Sequence, residues 1–135
     1  MVTVVLVEDD PDLRYLTTLM LELEGVEVRA FENGREALDS CRDNQPDLVL
    51  LDWMLPGMSG LEILRSLKTR PATAAIPVVM LSALSEPYNI AAARTAGAAD
   101  YLVKPFSRAT LLQAVRRQLQ RTGAPGTLVA QPIGA

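Results

Sequence analysis

The chain has 135 residues and a net charge of −3, and 49% of its residues are hydrophobic. This length supports one compact domain with a sizeable core, and the net charge gives no basic surface for nucleic acid. The single cysteine, Cys41, excludes a disulfide framework and a cysteine-based metal site. Because histidine is absent, imidazole-dependent catalytic triads, most zinc sites and a phosphohistidine donor are excluded as well.

Apolar runs alternate with amphipathic segments five times along the chain. This alternation predicts an α/β fold in which helices cover both faces of a parallel sheet. The strands are predicted at residues 2–7, 26–30, 48–52, 76–81 and 99–103. The second run alternates apolar and charged residues, which is typical of an edge strand.

Capping residues locate the helices between these strands. Asp10 is predicted to cap the first helix, and Ser59 with Glu62 predicts a capping box for the third. An alanine-rich helix is predicted at residues 86–96, and Ser107 is predicted to cap the last helix. Four apolar side chains are predicted to form the buried face of the first helix: Leu13, Leu16, Met20 and Leu23.

We expect no targeting or membrane-spanning segment in this sequence. The N-terminus passes straight into a strand, and no apolar run approaches the roughly 20 residues that cross a bilayer. We therefore expect a cytoplasmic protein. Helical periodicity stops after Arg121, so we predict one domain at residues 1–121 and a linker or disordered tail at residues 122–135.

Acidic, hydroxyl and basic side chains stand where four of the apolar runs end. Glu8 and Asp9 follow the first strand, and Asp52 closes the third. Ser82 and Lys104 follow the fourth and fifth runs. Since parallel strands end at one edge of a sheet, these side chains are expected to meet in one crevice. Carboxylates about 4 Å apart repel by roughly 4 kcal/mol, which a divalent cation relieves, and the lysine indicates an anion, so the pattern predicts magnesium and phosphate.

Four motifs at these strand ends resemble the receiver domain of two-component response regulators. They are Val7-Glu8-Asp9-Asp10, the ten residues from Leu51 to Gly60, Met80-Leu81-Ser82-Ala83 and Val103-Lys104-Pro105-Phe106. The resemblance runs from Val2 to about Arg121, and all four motifs occur in order. It implies a doubly wound, five-stranded parallel sheet with strand order 2-1-3-4-5, the flavodoxin-like receiver fold.

The resemblance also implies an acceptor and a metal site. Asp52 would accept a phosphoryl group from a partner histidine kinase or phosphotransfer protein. Magnesium would be bound by Asp9, Asp52 and the main-chain carbonyl of Met54, with Glu8 helping through water. Chemistry of this kind is limited to self-phosphorylation and self-dephosphorylation, so we do not expect an enzyme that acts on a separate substrate.

The remaining implied roles concern the phosphoryl group and the response to it. Lys104 and Ser82 would contact the phosphoryl oxygens, and Ser82 and Tyr101 would change conformation to control an output partner or domain. The Lys104-Pro105 peptide is typically cis in the family. Tyr101 is explained equally well as an amphipathic edge-strand residue.

Two departures from the family pattern leave choices open. Because Glu8, Asp9 and Asp10 are consecutive, the ligating pair has two registers; we favour Glu8 and Asp9, since Asp10 precedes Pro11 and suits a helix cap. Ser82 stands where threonine is commoner, which keeps the hydroxyl and loses the methyl group.

Three alternative functions are compatible with an α/β fold of this kind. A flavodoxin-like cofactor binder needs a Gly- and Ser-rich loop after the first strand, where this chain has acidic residues. An aspartyl phosphatase needs a second aspartate where Met54 stands. The third alternative is a degenerate, non-phosphorylated receiver that acts as a protein docking module.

The family's usual output face is formed by the fourth helix, fifth strand and fifth helix. A homodimer through this face would draw on few charges: Arg94, Asp100, Arg116 and Arg121. Because acidic residues are scarce on the fourth helix, we expect that a dimer, if one forms, is not held by the family's usual charge pairs. Neither nucleic acid nor a membrane is expected to bind this segment directly.

Overall fold

The computed structural model describes residues 1–123, which form five strands and five helices in strict alternation. The strands are β1 (Thr3–Val7), β2 (Glu27–Phe31), β3 (Leu48–Asp52), β4 (Val78–Ser82) and β5 (Asp100–Val103). The helices are α1 (Pro11–Glu22), α2 (Gly34–Asp43), α3 (Gly60–Thr69), α4 (Pro87–Thr95) and α5 (Arg108–Thr122). Of the predicted tail, only Thr122 and Gly123 lie within the described residues, and Thr122 is the last residue of α5.

All the strands run parallel, in the order β2-β1-β3-β4-β5, which confirms the predicted sheet. The register pairs Val7 with Leu51, Asp52 with Leu81, and Ser82 with Val103. The strand ends are therefore level with one another, and they form what we call the carboxyl edge of the sheet.

The two faces of the sheet are buried by different helices. On one face, Leu6 and Leu50 pack with Leu111 and Leu119 of α5. The other face carries a second cluster that joins the strands to α2, α3 and α4. Every residue of β3 and β4 is buried, so the strands that carry Asp52 and Ser82 are fixed from both sides.

The predicted helix caps at Asp10 and Ser59 are confirmed. An Asp10 carboxylate oxygen accepts hydrogen bonds from the main-chain N–H groups of Asp12 and Leu13, at 2.9 and 3.3 Å. Ser59 and Glu62 form a complete capping box. None of the helices within residues 1–123 is long and apolar enough to cross a membrane.

The predicted buried face of α1 is partly wrong. Of its four side chains, Leu13 and Met20 are half-buried, whereas Leu16 and Leu23 are exposed. Thr17 and Leu21 face the core instead. Apolar residues occupy so many positions of α1 that their spacing alone does not select one face of the helix.

Candidate functional site

Main-chain hydrogen bonds fix the backbone just beyond the strand ends. Glu8 donates its N–H to the carbonyl of Phe31 (3.0 Å), and Lys104 donates its N–H to the carbonyl of Ser82 (2.8 Å). The N–H of Trp53 is bonded to the carbonyl of Leu81 at 3.2 Å. The residues that carry the candidate side chains are therefore continuations of the sheet ladder, and their positions follow from the strand register.

Two buried carboxylates share one ammonium group at the carboxyl edge. Lys104 Nζ lies 2.6 Å from Glu8 Oε1 and 3.0 Å from Asp52 Oδ2. Glu8 is 1% exposed and Asp52 is 3% exposed. Asp52 Oδ1 also accepts a hydrogen bond from the N–H of Met54 at 3.1 Å, which brings the main chain of Met54 to the site. These contacts thus join four of the predicted site residues, with Met54 taking part through its main-chain N–H.

Asp9 completes an acidic cluster on the solvent side of this pair. Glu8, Asp9 and Asp52 each place a carboxylate oxygen within 4.8 Å of the others. Asp9 is exposed, whereas the Asp10 carboxylate caps α1, so Glu8 and Asp9 are the consecutive acidic residues whose carboxylates lie near Asp52. A cluster of oxygen donors at the rim of a crevice could hold a metal ion, and its donors suit a hard divalent cation.

Burial and mutual contact shift the pKa values of Glu8 and Lys104. Burial raises the pKa of Glu8 to about 7; the hydrogen bond to Lys104 opposes this rise and the neighbouring Asp52 adds to it. For Lys104, burial opposes the charged form, but hydrogen bonds to Glu8 and Asp52 outweigh it and raise the pKa above its usual value. Lys104 therefore stays charged, and Glu8 gains or loses its proton near neutral pH.

Glu8 should make the metal-free fold less stable as the pH rises. Its pKa is about 7 in the folded chain against 4.5 for the ordinary side chain, so the folded state holds more protons between these values. The free energy of unfolding should then fall between about pH 4.5 and 7 and level off above, by on the order of 2–3 kcal/mol. Urea unfolding in the presence of a metal chelator, from pH 5 to 8, measures this slope.

Glu8→Gln provides the control for this slope. A neutral amide of similar size removes the titrating group, so the variant should lose most of the decline in stability between pH 5 and 7. An equal decline in the variant and in the unaltered chain would assign the pH dependence to other groups.

Ser82 and Tyr101 are connected through a single residue, Leu84. Ser82 Oγ accepts a hydrogen bond from the N–H of Leu84 at 3.0 Å, and the Tyr101 hydroxyl donates to the carbonyl of Leu84 at 2.7 Å. Tyr101 is 8% exposed, and its ring meets the ring of Trp53 edge to face with centroids 6.4 Å apart. A shift of the segment after β4 would therefore change the hydrogen bonds of both Ser82 and Tyr101.

Two sets of contacts at the site were not predicted from the sequence, those of Arg14 and those of Leu84. Arg14, in the first turns of α1, donates hydrogen bonds to the main-chain carbonyls of Glu8 and Asp9. The sign of this contact in the sequence is that a long basic side chain follows Asp9 by five residues. The joining role of Leu84 depends on loop geometry, which an apolar residue type does not reveal. The Lys104-Pro105 peptide is cis, as the resemblance implies.

The family described as "Response regulator receiver domain" matches residues 4–116 of the chain. The chain belongs to this family. The match includes every strand end that contributes to the acidic cluster and the Glu8–Lys104–Asp52 contacts.

Curated relatives of this receiver include regulators of transcription. The phosphate regulon transcriptional regulatory protein PhoB of Pseudomonas aeruginosa is 42% identical over 124 residues, covering 92% of this chain and 54% of PhoB. The DNA-binding response regulator MtrA of Mycolicibacterium smegmatis is 39% identical over 118 residues, covering 87% of this chain and 50% of MtrA. The receiver thus spans about half the length of the curated relatives it matches.

Solved structures of receivers share the fold closely. The chemotaxis protein CheY4 of Vibrio cholerae matches with a TM-score of 0.84 and 30% identity, over 88% of this chain and 99% of CheY4. The receiver domain of the sensor histidine kinase PA1611 from Pseudomonas aeruginosa matches with a TM-score of 0.81 and 29% identity, over 87% and 97% of the respective chains. The PA1611 structure has a magnesium ion coordinated in its active site cleft.

Proposed function

We propose that this receiver accepts a phosphoryl group on Asp52 in a magnesium-dependent reaction and changes conformation in response. The observation that carries the proposal is the contact between Lys104 and Asp52 at the rim of the acidic cluster. A buried carboxylate, an ammonium group and two further carboxylates are the parts that phosphoryl transfer requires for positioning and charge neutralisation.

The transfer step uses one Asp52 carboxylate oxygen as the nucleophile. This oxygen attacks phosphorus and forms an acyl phosphate, while the bond from phosphorus to the donor atom breaks and its electron pair leaves with the donor. Asp9, Asp52 and the Met54 carbonyl would hold magnesium, with Glu8 acting through water. When bound, the ion neutralises charge on the phosphoryl oxygens. Lys104 would then pair with a phosphoryl oxygen instead of sharing its charge between two carboxylates.

The response would pass through the segment after β4. Ser82 Oγ can donate to a phosphoryl oxygen, and its existing bond to the Leu84 N–H links that movement to Leu84. The carbonyl of Leu84 holds the Tyr101 hydroxyl, so a new position of Leu84 favours a new position of Tyr101. This coupling supports Ser82 and Tyr101 as the switch residues.

The partners proposed for this site follow from the family and from the sequence. Because the chain has no histidine of its own, a histidine kinase or phosphotransfer protein would donate the phosphoryl group. We place this reaction in the cytoplasm. Any dimer would use the surface of α4, β5 and α5. On that surface Asp100 is paired within the chain, with Arg94 at 3.7 Å and Arg117 at 3.1 Å, which supports a dimer without the usual charge pairs.

Trp53 provides the experiment that tests the proposal. Its half-buried ring adjoins Asp52 in sequence and Tyr101 in space, so occupation of the site should change its fluorescence. We expect a saturable response to magnesium, followed by a second response to beryllofluoride, a phosphoryl mimic, that requires magnesium. A folded chain that gives neither response would instead be the docking module, the alternative in which the site is no longer phosphorylated.

A further inference from the structure

Arg14 reaches back from α1 to the turn that precedes the helix. Its Nη1 lies 2.9 Å from the main-chain carbonyl oxygen of Glu8 and 3.4 Å from that of Asp9. Its own N–H is bonded to the carbonyl of Asp10 at 2.9 Å. The side chain and the main chain of Arg14 are therefore both bonded to the segment Glu8-Asp9-Asp10, which joins β1 to α1.

The two acidic residues proposed for the metal site differ in how firmly they are held. Glu8 is buried, is bonded to Lys104, and accepts a further hydrogen bond from the N–H of Asp10 at 3.2 Å. Asp9 is exposed, and its carboxylate accepts no hydrogen bond from residues 1–123. The orientation of Asp9 thus depends on its main chain, which is where Arg14 donates.

Arg14 has two opposing effects on a divalent cation at this cluster. Its positive charge repels the ion, whereas its hydrogen bonds hold the turn in the conformation that gathers the carboxylates. Arg14 is half-buried, so salt screens this repulsion only in part. The hydrogen bonds act directly on the main chain of the ligand residues, and we expect them to dominate.

We propose that Arg14 is a positioning residue that holds the Glu8-Asp9 turn in the geometry that binds magnesium. This inference rests on the proposed function, because it concerns the same cation site. Arg14 would orient the exposed ligand through the main-chain carbonyls of Glu8 and Asp9.

Magnesium titration of the full chain, followed by Trp53 emission, tests the role of Arg14. Loss of a group that orients a metal ligand typically weakens binding by about 10- to 100-fold, so Arg14→Met should need at least about tenfold more magnesium at the midpoint. Arg14→Lys keeps the charge and one donor, and its midpoint should lie between those of Arg14→Met and the unaltered chain. The lysine variant carries the test if Arg14→Met fails to fold.

Arg29→Met is the matched control. Arg29 also donates to main-chain carbonyls, at Ser40 and Asn44, and to Ser40 Oγ at 2.7 Å, but these atoms lie at the end of α2. This variant should lose stability to urea while its magnesium midpoint stays unchanged. Comparing Arg29→Met with Arg14→Met separates a general loss of stability from an effect on the Glu8-Asp9 turn.

The possible outcomes distinguish this inference from the proposed function. If the unaltered chain responds to magnesium and Arg14→Met binds with an equal or lower midpoint, the positioning role is overturned and the metal site stands. If the folded, unaltered chain gives no response to magnesium, both proposals fail together. A raised midpoint in Arg14→Met with recovery in Arg14→Lys supports the positioning role.

Discussion

Asp52→Asn should abolish both the beryllofluoride response of Trp53 and phosphoryl incorporation from acetyl phosphate. The amide nitrogen is not a nucleophile, and the side chain no longer carries the charge that Lys104 meets at 3.0 Å. We expect incorporation, measured as the mass increase of the intact protein, to fall to background.

Asp39→Asn is the control for this experiment. Asp39 is an exposed carboxylate on α2 that pairs with Arg42 at 3.0 Å, and it should have no part in the reaction. Its variant should gain mass at the same rate as the unaltered chain. Incorporation that persists in Asp52→Asn would move the acceptor to another carboxylate, with Asp9 the next to examine.

Gly60→Ala should destabilise the fold by at least about 3 kcal/mol, the upper end of the usual cost of overpacking. A β-carbon at Gly60 would overlap the main-chain carbonyl oxygen of Asp52 and lie 2.6 Å from the Cα atom of Trp53. Both obstacles are backbone atoms at the end of a buried strand, so neither can move aside cheaply. The midpoint of urea unfolding, followed by Trp53 emission, measures the loss.

Gly57→Ala is the matched variant, in the loop that leads from β3 to α3. Gly57 has a φ of +78°, and a β-carbon there would meet nothing within 4 Å. The expected cost is therefore the left-handed backbone alone, about 1–2 kcal/mol. Equal losses in the two variants would show that α3 can shift away from β3, and that the close approach at Gly60 does not fix the acceptor strand.

The sequence allowed the carboxyl edge to be predicted because each strand is a short apolar run with one abrupt end. Leu48 to Leu51 admit only burial on both faces, so Asp52 had to stand where the run stopped. Parallel pairing then brings Asp52 level with Leu81 and sets the remaining strand ends beside it. Neither step depends on side-chain detail, which is why the fold and the meeting of the side chains were both foreseen.

The face of α1 and the turn before it could not be obtained in this way. Several leucines of α1 compete for the core, and only packing decides that Leu21 and Thr17 enter while Leu16 does not. The contact of Arg14 likewise depends on the path of the turn, since its donors bond to carbonyl oxygens that every residue carries. Sequence patterns report residue types, and these interactions use main-chain atoms and choices between similar side chains.

The position where α5 ends offers a practical point of attachment. Thr122 and Gly123 line a depression of about 270 Å³ together with Asp47 and Pro77, which precede β3 and β4. This is the edge of the sheet opposite Asp52, and a strand of five residues spans about 16 Å. A fluorophore, affinity tag or surface tether joined at Gly123 would start on the side of the molecule away from Asp52. Immobilised in that way, the protein would present its acidic crevice to the solution for single-molecule or surface-based measurements.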